Sequence, residues 1–250
     1  MRRFFHAAEP TADGVIVLVG AEAHHAAQVI RIRAGESAII LDGRGREHFC
    51  KASSVGRREL RMQVERTVLH QPPACRIRLF QAITKGKSFE IILQKAVELG
   101  ASEIIPVITD RVVARPASGE FTDKRDKWQQ VVIEALKQCG AFWLPTVWLP
   151  TPLATSLAGD EQTELRMVAA LAPGALHPRP IIETFIREQG RLPTSASVWI
   201  GPEGDFSDEE LGQLTTAGVR PVTLGSHVLR SETAALWALA VMGYELSAPR

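Results

Sequence analysis

Two glycine-containing segments near the carboxyl end combine residue types that could bind a flat ligand. They read Ile200-Gly-Pro-Glu-Gly-Asp-Phe206 and Leu224-Gly-Ser-His-Val-Leu-Arg-Ser-Glu-Thr-Ala234. Because glycine has no Cβ, backbone N–H and C=O groups can approach a ligand such as adenine closely. Neither segment has the glycine spacing of a nucleoside triphosphate or dinucleotide site. Each segment alone is also typical of an ordinary strand-to-helix turn, so the pair carries the prediction.

Charged side chains within the same segments could handle a proton or an anion. Arg230 could stabilise a developing anion or a flanking phosphate through charge-assisted hydrogen bonds. Glu203 and Glu232 could accept a proton. Arg230 and Glu232 could equally form an ion pair at a helix start, where glutamate is favourable. Both alternatives remain open for these two residues.

The elements that must position these segments follow an alternating strand and helix pattern. Apolar runs predict strands at 76–82, 103–108, 165–171, 197–201 and 219–224, and helical spacing predicts helices at 88–99 and 124–139. Ser207 and Glu210 form a capping box for one more helix. The pattern indicates a parallel α/β sheet, in which ligands bind at the carboxyl ends of strands. Both glycine segments lie at such ends.

The last predicted helix, residues 231–246, is apolar on nearly every face. Such a helix must be covered on more than one side. We expect it to lie in a subunit interface as well as against the sheet.

The first 70 residues have a different pattern of short apolar runs and turns. We predict strands at 15–19, 37–41, 47–53 and 59–69, one short helix at 21–30, and a hairpin turn at Asp42-Gly43. The pattern indicates a small β-barrel. Gln71-Pro72-Pro73 then interrupts the chain, so we place domains at 1–71 and 72–250.

Bulk composition limits the classes of protein that the chain could belong to. Apolar residues make up 45% of 250, enough for a real core, and no apolar run is long enough for a membrane span or signal peptide. We therefore expect a cytoplasmic protein. Three cysteines without a close pair predict neither disulfides nor a metal site. Residues 1–70 hold 11 Lys/Arg against 8 Asp/Glu, an excess that permits an RNA partner but is also common on solvated surfaces.

Taken together and in this order, the two segments resemble those of the RsmE family. These are SPOUT-class enzymes that methylate N3 of a uridine in 16S ribosomal RNA with S-adenosylmethionine (SAM). The resemblance covers nearly the whole chain. Further matches are Arg2-Arg3-Phe4-Phe5, His24-His25 with Val29-Ile-Arg31, Lys85-Gly86-Lys87, Trp128 and Gln138-Cys-Gly140.

The resemblance implies a fold and a site. It implies a PUA-like RNA-binding barrel, a SPOUT-type parallel sheet with a carboxyl-terminal trefoil knot, and a homodimer. The residues expected to bind SAM, largely through main chain and apolar contact, are Leu171, Ile200, Gly201, Pro202, Gly204, Leu224, Gly225, Val228, Leu229 and Thr233. The basic residues expected to bind 16S RNA are Arg2, Arg3, Arg31 and Arg33, with Arg57 and Arg58 as weaker candidates.

Three positions depart from the family pattern. Ala141 and His227 stand where the pattern usually has arginine, and Asp205 stands where it has a second glycine. These changes bear on target choice and rate more than on SAM binding. Two rival functions remain, a SPOUT enzyme for another RNA site and a non-catalytic RNA-binding assembly factor.

Overall fold

The computed structural model describes residues 2–56, 58–112 and 118–247, so Arg57 lies outside the described residues. The chain divides into two compact units. The first comprises Met1–Pro72 and Ile133–Leu144, and the second comprises Pro73–Val132 and Pro145–Arg250. The first unit is therefore discontinuous in sequence, which no local pattern indicated.

The first unit contains a five-stranded curled sheet. Its strands are β1 (Arg3–Phe5), β2 (Val15–Val19), β3 (Ser37–Leu41), β4 (Arg46–Val55) and β5 (Glu59–Leu69). They lie in the order β1-β3-β4-β5-β2, with β1 parallel to β3 and the other neighbours antiparallel. The predicted small β-barrel is confirmed in part, because the sheet curls into a half-barrel with β1 and β2 at its two edges. Three-residue β1 is too short to show a period in the sequence.

The hairpin between β3 and β4 is confirmed, but its turn is wider than the tight one predicted. Asp42 Oδ1 accepts hydrogen bonds from the backbone N–H groups of Arg44 and Arg46, at 2.7 and 3.0 Å. The buried carboxylate thus organises a four-residue connection. Side-chain acceptors of this kind commonly replace backbone hydrogen bonds in turns.

The predicted helix at 21–30 is confirmed, with a change of winding. It begins as α1 (Gly20–His24) and continues as a π-helical segment, His25–Ile30. Within this helix, Ala23 and Ala26 are buried. The segment ends at Arg31, whose φ of 55° is unusual for a residue other than glycine.

The core of the first unit is apolar and includes Phe4, Ile16, Leu60 and Cys50. Burial raises the pKa of the Cys50 thiol to about 12, so the thiol stays protonated. Residues 133–144 are joined to this unit by Lys137, whose Nζ lies 2.6 Å from Glu22 Oε1.

The second unit contains a parallel sheet, as predicted. Its strands are β6 (Arg76–Ala82), β7 (Ala101–Ile108), β8 (Thr146–Val147), β9 (Thr151–Pro152), β10 (Leu165–Ala169), β11 (Ser195–Ile200) and β12 (Arg220–Val222). The order is β12-β10-β11-β6-β7-β8, and β9 also pairs with β7. The carboxyl ends of β12, β10 and β11 therefore lie side by side.

Helices cover this sheet. They are α2 (Ser88–Glu98), α3 (Phe121–Cys139), α4 (Leu153–Ala158), α5 (Pro178–Gln189), α6 (Asp208–Thr216) and α7 (Ser231–Leu246), with a short 3-10 turn at Ser118–Glu120. Helices α4 and α5 were not predicted. Helix α5 has prolines at positions 178 and 180. Prolines usually interrupt a helical pattern in the sequence but are tolerated in the first helical turn. Within the described ranges, no helix is long and apolar enough to cross a membrane.

A buried carboxylate and a pair of stacked aromatic rings hold the register of the central strands. Asp160 is fully buried and accepts hydrogen bonds from Ser197 Oγ at 2.6 Å and Trp199 Nε1 at 3.0 Å. Phe80 on β6 stacks on Trp199 of β11 with ring centroids 4.0 Å apart. These contacts fix where β6 and β11 end, and hence where the loops that follow them begin.

Candidate functional site

The first glycine segment forms a compact loop between β11 and α6. The N–H of Asp205 donates to the Pro202 carbonyl at 3.0 Å, which closes a turn. A Cβ added at Gly201 would lie 2.9 Å from Asp205 Oδ1, so no side chain fits there without a shift. The loop ends at Ser207, where the predicted capping box is confirmed by reciprocal hydrogen bonds with Glu210.

The second glycine segment connects β12 to α7. Gly225 has a φ of 121°, which favours glycine, and a Cβ there would meet nothing within 4 Å. Thr223 Oγ1 accepts from the Gly225 N–H at 3.3 Å and donates to the Gly225 carbonyl at 3.1 Å. The backbone at Gly225 is thus held beside open space.

A buried hydrogen-bond chain joins the two segments. Ser231 Oγ, at the start of α7, donates to the carbonyl of Gly201 at 2.6 Å and accepts from Gln81 Nε2 at 2.9 Å. Gln81 lies on β6 and is fully buried. The two strand-end segments therefore meet, although Gly201 and Gly225 are 24 positions apart in the sequence.

Both segments line one cavity of about 300 Å³. Its volume is at the lower end of the range for small-molecule sites. The expected cofactor residues that line it are Leu171, Ile200, Gly201, Pro202, Gly204, Leu224, Gly225, Val228 and Leu229. Leu171 and Val228 are exposed large apolar side chains, so the walls present apolar surface that a ligand could cover.

Thr233, Arg230 and Glu232 do not line the cavity. Ser231 and Ala234 do, and they lie three residues apart on one face of α7. Residues between them point away because successive helical residues rotate by about 100°. Arg230 is exposed at the N-cap and Glu232 is half-buried in the first turn, whereas Glu203 does line the cavity.

Sequence reasoning missed part of the wall. Ala169 and Ala170, at the end of β10, line the cavity together with Asp205, His227, Ser231 and Ala234. The alanines carried no chemical signal. They reach the site because β10 lies between β11 and β12, and this strand order cannot be read from local periodicity. Asp205 and His227 were recognised only as departures from the family pattern.

Loops after two further strands contact the first glycine segment. The backbone N–H of Lys85, beyond β6, donates to Glu203 Oε1 at 3.2 Å. Arg111, beyond β7, donates from Nη1 to the Gly204 carbonyl at 2.8 Å. Two basic residues therefore lie next to the lining segment, where a polyanion could reach them.

The four arginines expected to bind RNA differ in their contacts. Arg2 pairs with Glu36 at 2.6 Å, and Arg3 Nη1 donates to the Gln138 carbonyl at 3.3 Å. Arg31 and Arg33 are exposed, and their side chains make neither a hydrogen bond nor an ion pair with the described residues. No group of three His, Cys, Asp or Glu residues in the described ranges could hold a metal ion.

Family models define the class of protein to which this fold and cavity belong as the RNA methyltransferases. A model of the RNA methyltransferase domain matches residues 71–243, and a model of the RNA methyltransferase PUA domain matches residues 18–65. These two matches cover most of both units.

Relatives narrow the class to one family. Ribosomal RNA small subunit methyltransferase E of Mycobacterium tuberculosis (strain CDC 1551 / Oshkosh) is 32% identical over 94% of this chain and 88% of its own length. The protein of the same name from Synechocystis is 30% identical over 95% of this chain and 76% of its own length. The chain belongs to the ribosomal RNA small subunit methyltransferase E family, which confirms the resemblance.

Solved structures agree with this assignment. A putative methyltransferase of Legionella pneumophila in complex with SAM has a TM-score of 0.86 at 27% identity, covering 97% of this chain and 96% of its own. Ribosomal RNA small subunit methyltransferase E of Neisseria gonorrhoeae, bound to S-adenosyl methionine, has a TM-score of 0.84 at 25% identity, covering 98% and 97%.

Proposed function

We propose that this protein uses SAM to methylate N3 of a uridine in 16S ribosomal RNA of the small subunit. The observation that carries the proposal is the meeting of two glycine segments around one cavity. Relatives of this chain are named ribosomal RNA small subunit methyltransferases, and structural neighbours bind SAM. The uridine N3 position comes from the family resemblance. A cytoplasmic location follows from that substrate rather than from the fold.

The residues present fit an adenosyl cofactor. Gly201 has no room for a Cβ, and Gly225 presents bare backbone to open space, so both favour main-chain contact with a flat ring. Leu171, Leu224 and Val228 supply apolar surface. We therefore assign the cofactor to this cavity, with Thr233 at most in a supporting role because it lies off the wall.

The chain must supply the groups that prepare the uridine. SAM supplies a methyl group already activated on a sulfonium, whereas the N3–H of uridine must lose its proton before N3 becomes a nucleophile. Glu203, which lines the cavity, would accept that proton. Arg230, which adjoins the lining residues Leu229 and Ser231, would stabilise the resulting anion at O2 or O4, and Glu232 is the second candidate for accepting the proton. Alignment alone could supply up to about 7–11 kcal/mol of barrier lowering.

We assign RNA docking on the first unit to Arg31 and Arg33 before Arg2 and Arg3. The side chains of the first two make no hydrogen bond or ion pair within the described part of the chain, whereas the other two already hold partners within that unit. Phosphate contacts dominate RNA affinity, and unengaged guanidinium groups can make them without breaking an existing ion pair.

We also propose a trefoil knot in the second unit. After edge strand β12, Thr223 N–H donates to the carbonyl of Leu176, in the connection that follows β10, and the chain then reaches Gly201 at Ser231. Knots are almost absent from proteins, so this path needs a direct test. A crystallographic chain trace in which residues 223–246 pass through no loop of the preceding chain would contradict the knot.

The decisive experiment supplies methyl-labelled SAM and small ribosomal subunits that lack the modification. After digestion to nucleosides, we expect the label in 3-methyluridine. Label in another nucleoside, or in transfer RNA, would indicate a different SPOUT activity. Binding of the subunit without label transfer would indicate a non-catalytic assembly factor.

Arg230 is tested in the same assay. We expect Arg230→Ala to lower turnover by about 100-fold or more, as loss of an anion-stabilising donor does, while SAM binding measured by calorimetry persists. Arg220→Ala, an exposed arginine at the start of β12 and outside the cavity wall, is the matched control. Unchanged turnover in Arg230→Ala would remove this residue from the mechanism.

A further inference from the structure

The side chains that line the cavity have an unbalanced charge. Glu203 and Asp205 contribute two carboxylates, and among the described lining residues there is no lysine or arginine. His227 is the one lining side chain that could carry a positive charge. Lys85 and Arg111 lie outside the wall, so the charge that a ligand would meet on the lining side chains is negative, and this favours a cationic ligand.

The two carboxylates differ in how they are engaged. Glu203 is exposed, and its Oε1 accepts from the Lys85 N–H. Asp205 is half-buried, and its Oδ1 accepts from the Phe206 N–H at 2.8 Å. Asp205 Oδ2 has no partner among the residues that the structure describes. One fixed carboxylate oxygen in the wall therefore remains available.

The backbone at Asp205 is also unusual. Its φ of 60° lies in the left-handed region, where glycine is favoured and aspartate is tolerated. This conformation turns the side chain back towards Gly201, because Oδ1 would lie 2.9 Å from a Cβ built there. A charged side chain kept where glycine would be least strained is typical of a functional position.

We infer that Asp205 is the counter-charge for the cationic end of SAM. The inference rests on the proposed function, because it takes SAM as the ligand of this cavity. SAM carries two cationic groups, the sulfonium and the ammonium of its methionine part. The methylation product, S-adenosylhomocysteine, keeps the ammonium but has a neutral thioether. A contact with the sulfonium would make Asp205 a determinant of cofactor-over-product selectivity.

If Asp205 recognises the sulfonium, removing its charge should affect KM for SAM and kcat differently. The positive charge on sulfur is largest before transfer and is lost during it. A carboxylate that stabilises that charge strengthens ground-state binding more than the transition state. Asp205→Asn should then raise KM for SAM while kcat is kept or increased, a pattern that a merely structural defect would not produce.

The test is calorimetric titration of the full chain, without RNA, with SAM, S-adenosylhomocysteine and adenosine. Asp205→Asn keeps the shape, the acceptor for Phe206 N–H and the tolerance for positive φ, but removes the charge. Asp205→Gly relieves the backbone and removes the side chain. Asp208→Asn, in the first turn of α6 and outside the cavity wall, is the control for loss of one carboxylate nearby.

We expect SAM to bind roughly tenfold or more weakly to both Asp205 variants, as for loss of a hydrogen bond to a charged group, with adenosine and the Asp208 control unchanged. Weakening of SAM alone identifies the sulfonium. Equal weakening of SAM and S-adenosylhomocysteine identifies the ammonium. Unchanged SAM affinity, or equal weakening of adenosine, overturns the inference. If the wild-type chain binds no SAM, the proposed function fails instead.

Discussion

Single residues at this cavity act through backbone shape as much as through side-chain chemistry. Gly201 and Gly225 suit their positions because they have no Cβ. Asp205 adds a charge at a position whose positive φ favours glycine. Two of the three departures from the family pattern, Asp205 and His227, line the cavity. The third, Ala141, is half-buried in the first unit. The departures therefore change the cavity wall at two positions and the first unit at one.

The arginines of the first unit allow a prediction at the same scale. Arg31→Ala and Arg33→Ala should each weaken RNA binding and reduce the salt slope of log affinity by about 1, because each removes one phosphate contact. Melting temperature should change little, since neither side chain makes a hydrogen bond or ion pair with the residues that the structure describes. Binding would be measured over a salt series.

Arg2→Ala is the comparison for these two variants. It breaks an exposed ion pair with Glu36, which costs at most about 1 kcal/mol of stability. If Arg31→Ala and Arg33→Ala leave the salt slope unchanged while Arg2→Ala lowers it, the assignment of docking residues is reversed.

At the scale of elements, the site depends on where strands end and how α7 begins. Strands β10, β11 and β12 bring three carboxyl ends together, and Ser231 links the first turn of α7 to Gly201. Ser231 is buried, so its hydroxyl and its partners are shielded from water. The hydrogen-bond chain from Gln81 through Ser231 to Gly201 therefore holds the cavity open in one shape.

Ser231→Ala tests that link. The change leaves the Gly201 carbonyl and one Gln81 N–H without the hydroxyl, which should cost about 1–3 kcal/mol of unfolding free energy. We also expect weaker SAM binding, because the first loop loses its anchor. Ser226→Ala, an exposed serine of the second segment outside the wall, is the matched control for denaturant unfolding and calorimetry. Equal stability of the two variants would contradict the anchoring role.

At the scale of the whole molecule, α7 leaves an apolar face that the second unit does not cover. Tyr244 is 79% exposed and, with Trp237 and Val241, lines a groove beside the start of α5. Exposed aromatic and aliphatic side chains that adjoin one another are typical of an interaction surface. The homodimer that the family resemblance implies would cover this face, as the apolar sequence of α7 predicts.

We therefore expect Tyr244→Glu to convert the homodimer that the resemblance implies into a monomer. The introduced carboxylate must be desolvated in the contact, and Arg179 in this groove already pairs with Glu245, so the change should cost several kcal/mol of association free energy. Sedimentation velocity over a range of concentrations measures the mass directly. Leu69→Glu, which replaces an exposed leucine on β5 of the first unit, is the control. Equal masses for wild type and Tyr244→Glu would exclude this face as the interface.

Prediction from sequence succeeded where structure is local. The bounds of α7 agree with the apolar run from Ser231 to Leu246, and the capping box at Ser207 and Glu210 involves neighbours three residues apart. Short elements such as β1, β8 and α4 were not predicted, because a repeating apolar pattern needs more residues than these elements contain. Thr233 was expected in the cavity from the motif. It does not line the cavity, because Ser231 and Ala234 occupy the face of α7 that does.

The amino-acid sequence by itself determined the family, the two glycine segments and the parallel α/β architecture, because each is specified by residue types within short stretches. Only the tertiary structure decided that β10 lies between β11 and β12, that Ala169 and Ala170 reach the cavity, and that Asp205 keeps a carboxylate oxygen free in its wall. Strand order and side-chain pairing arise from packing between distant segments, and local periodicity does not record that packing.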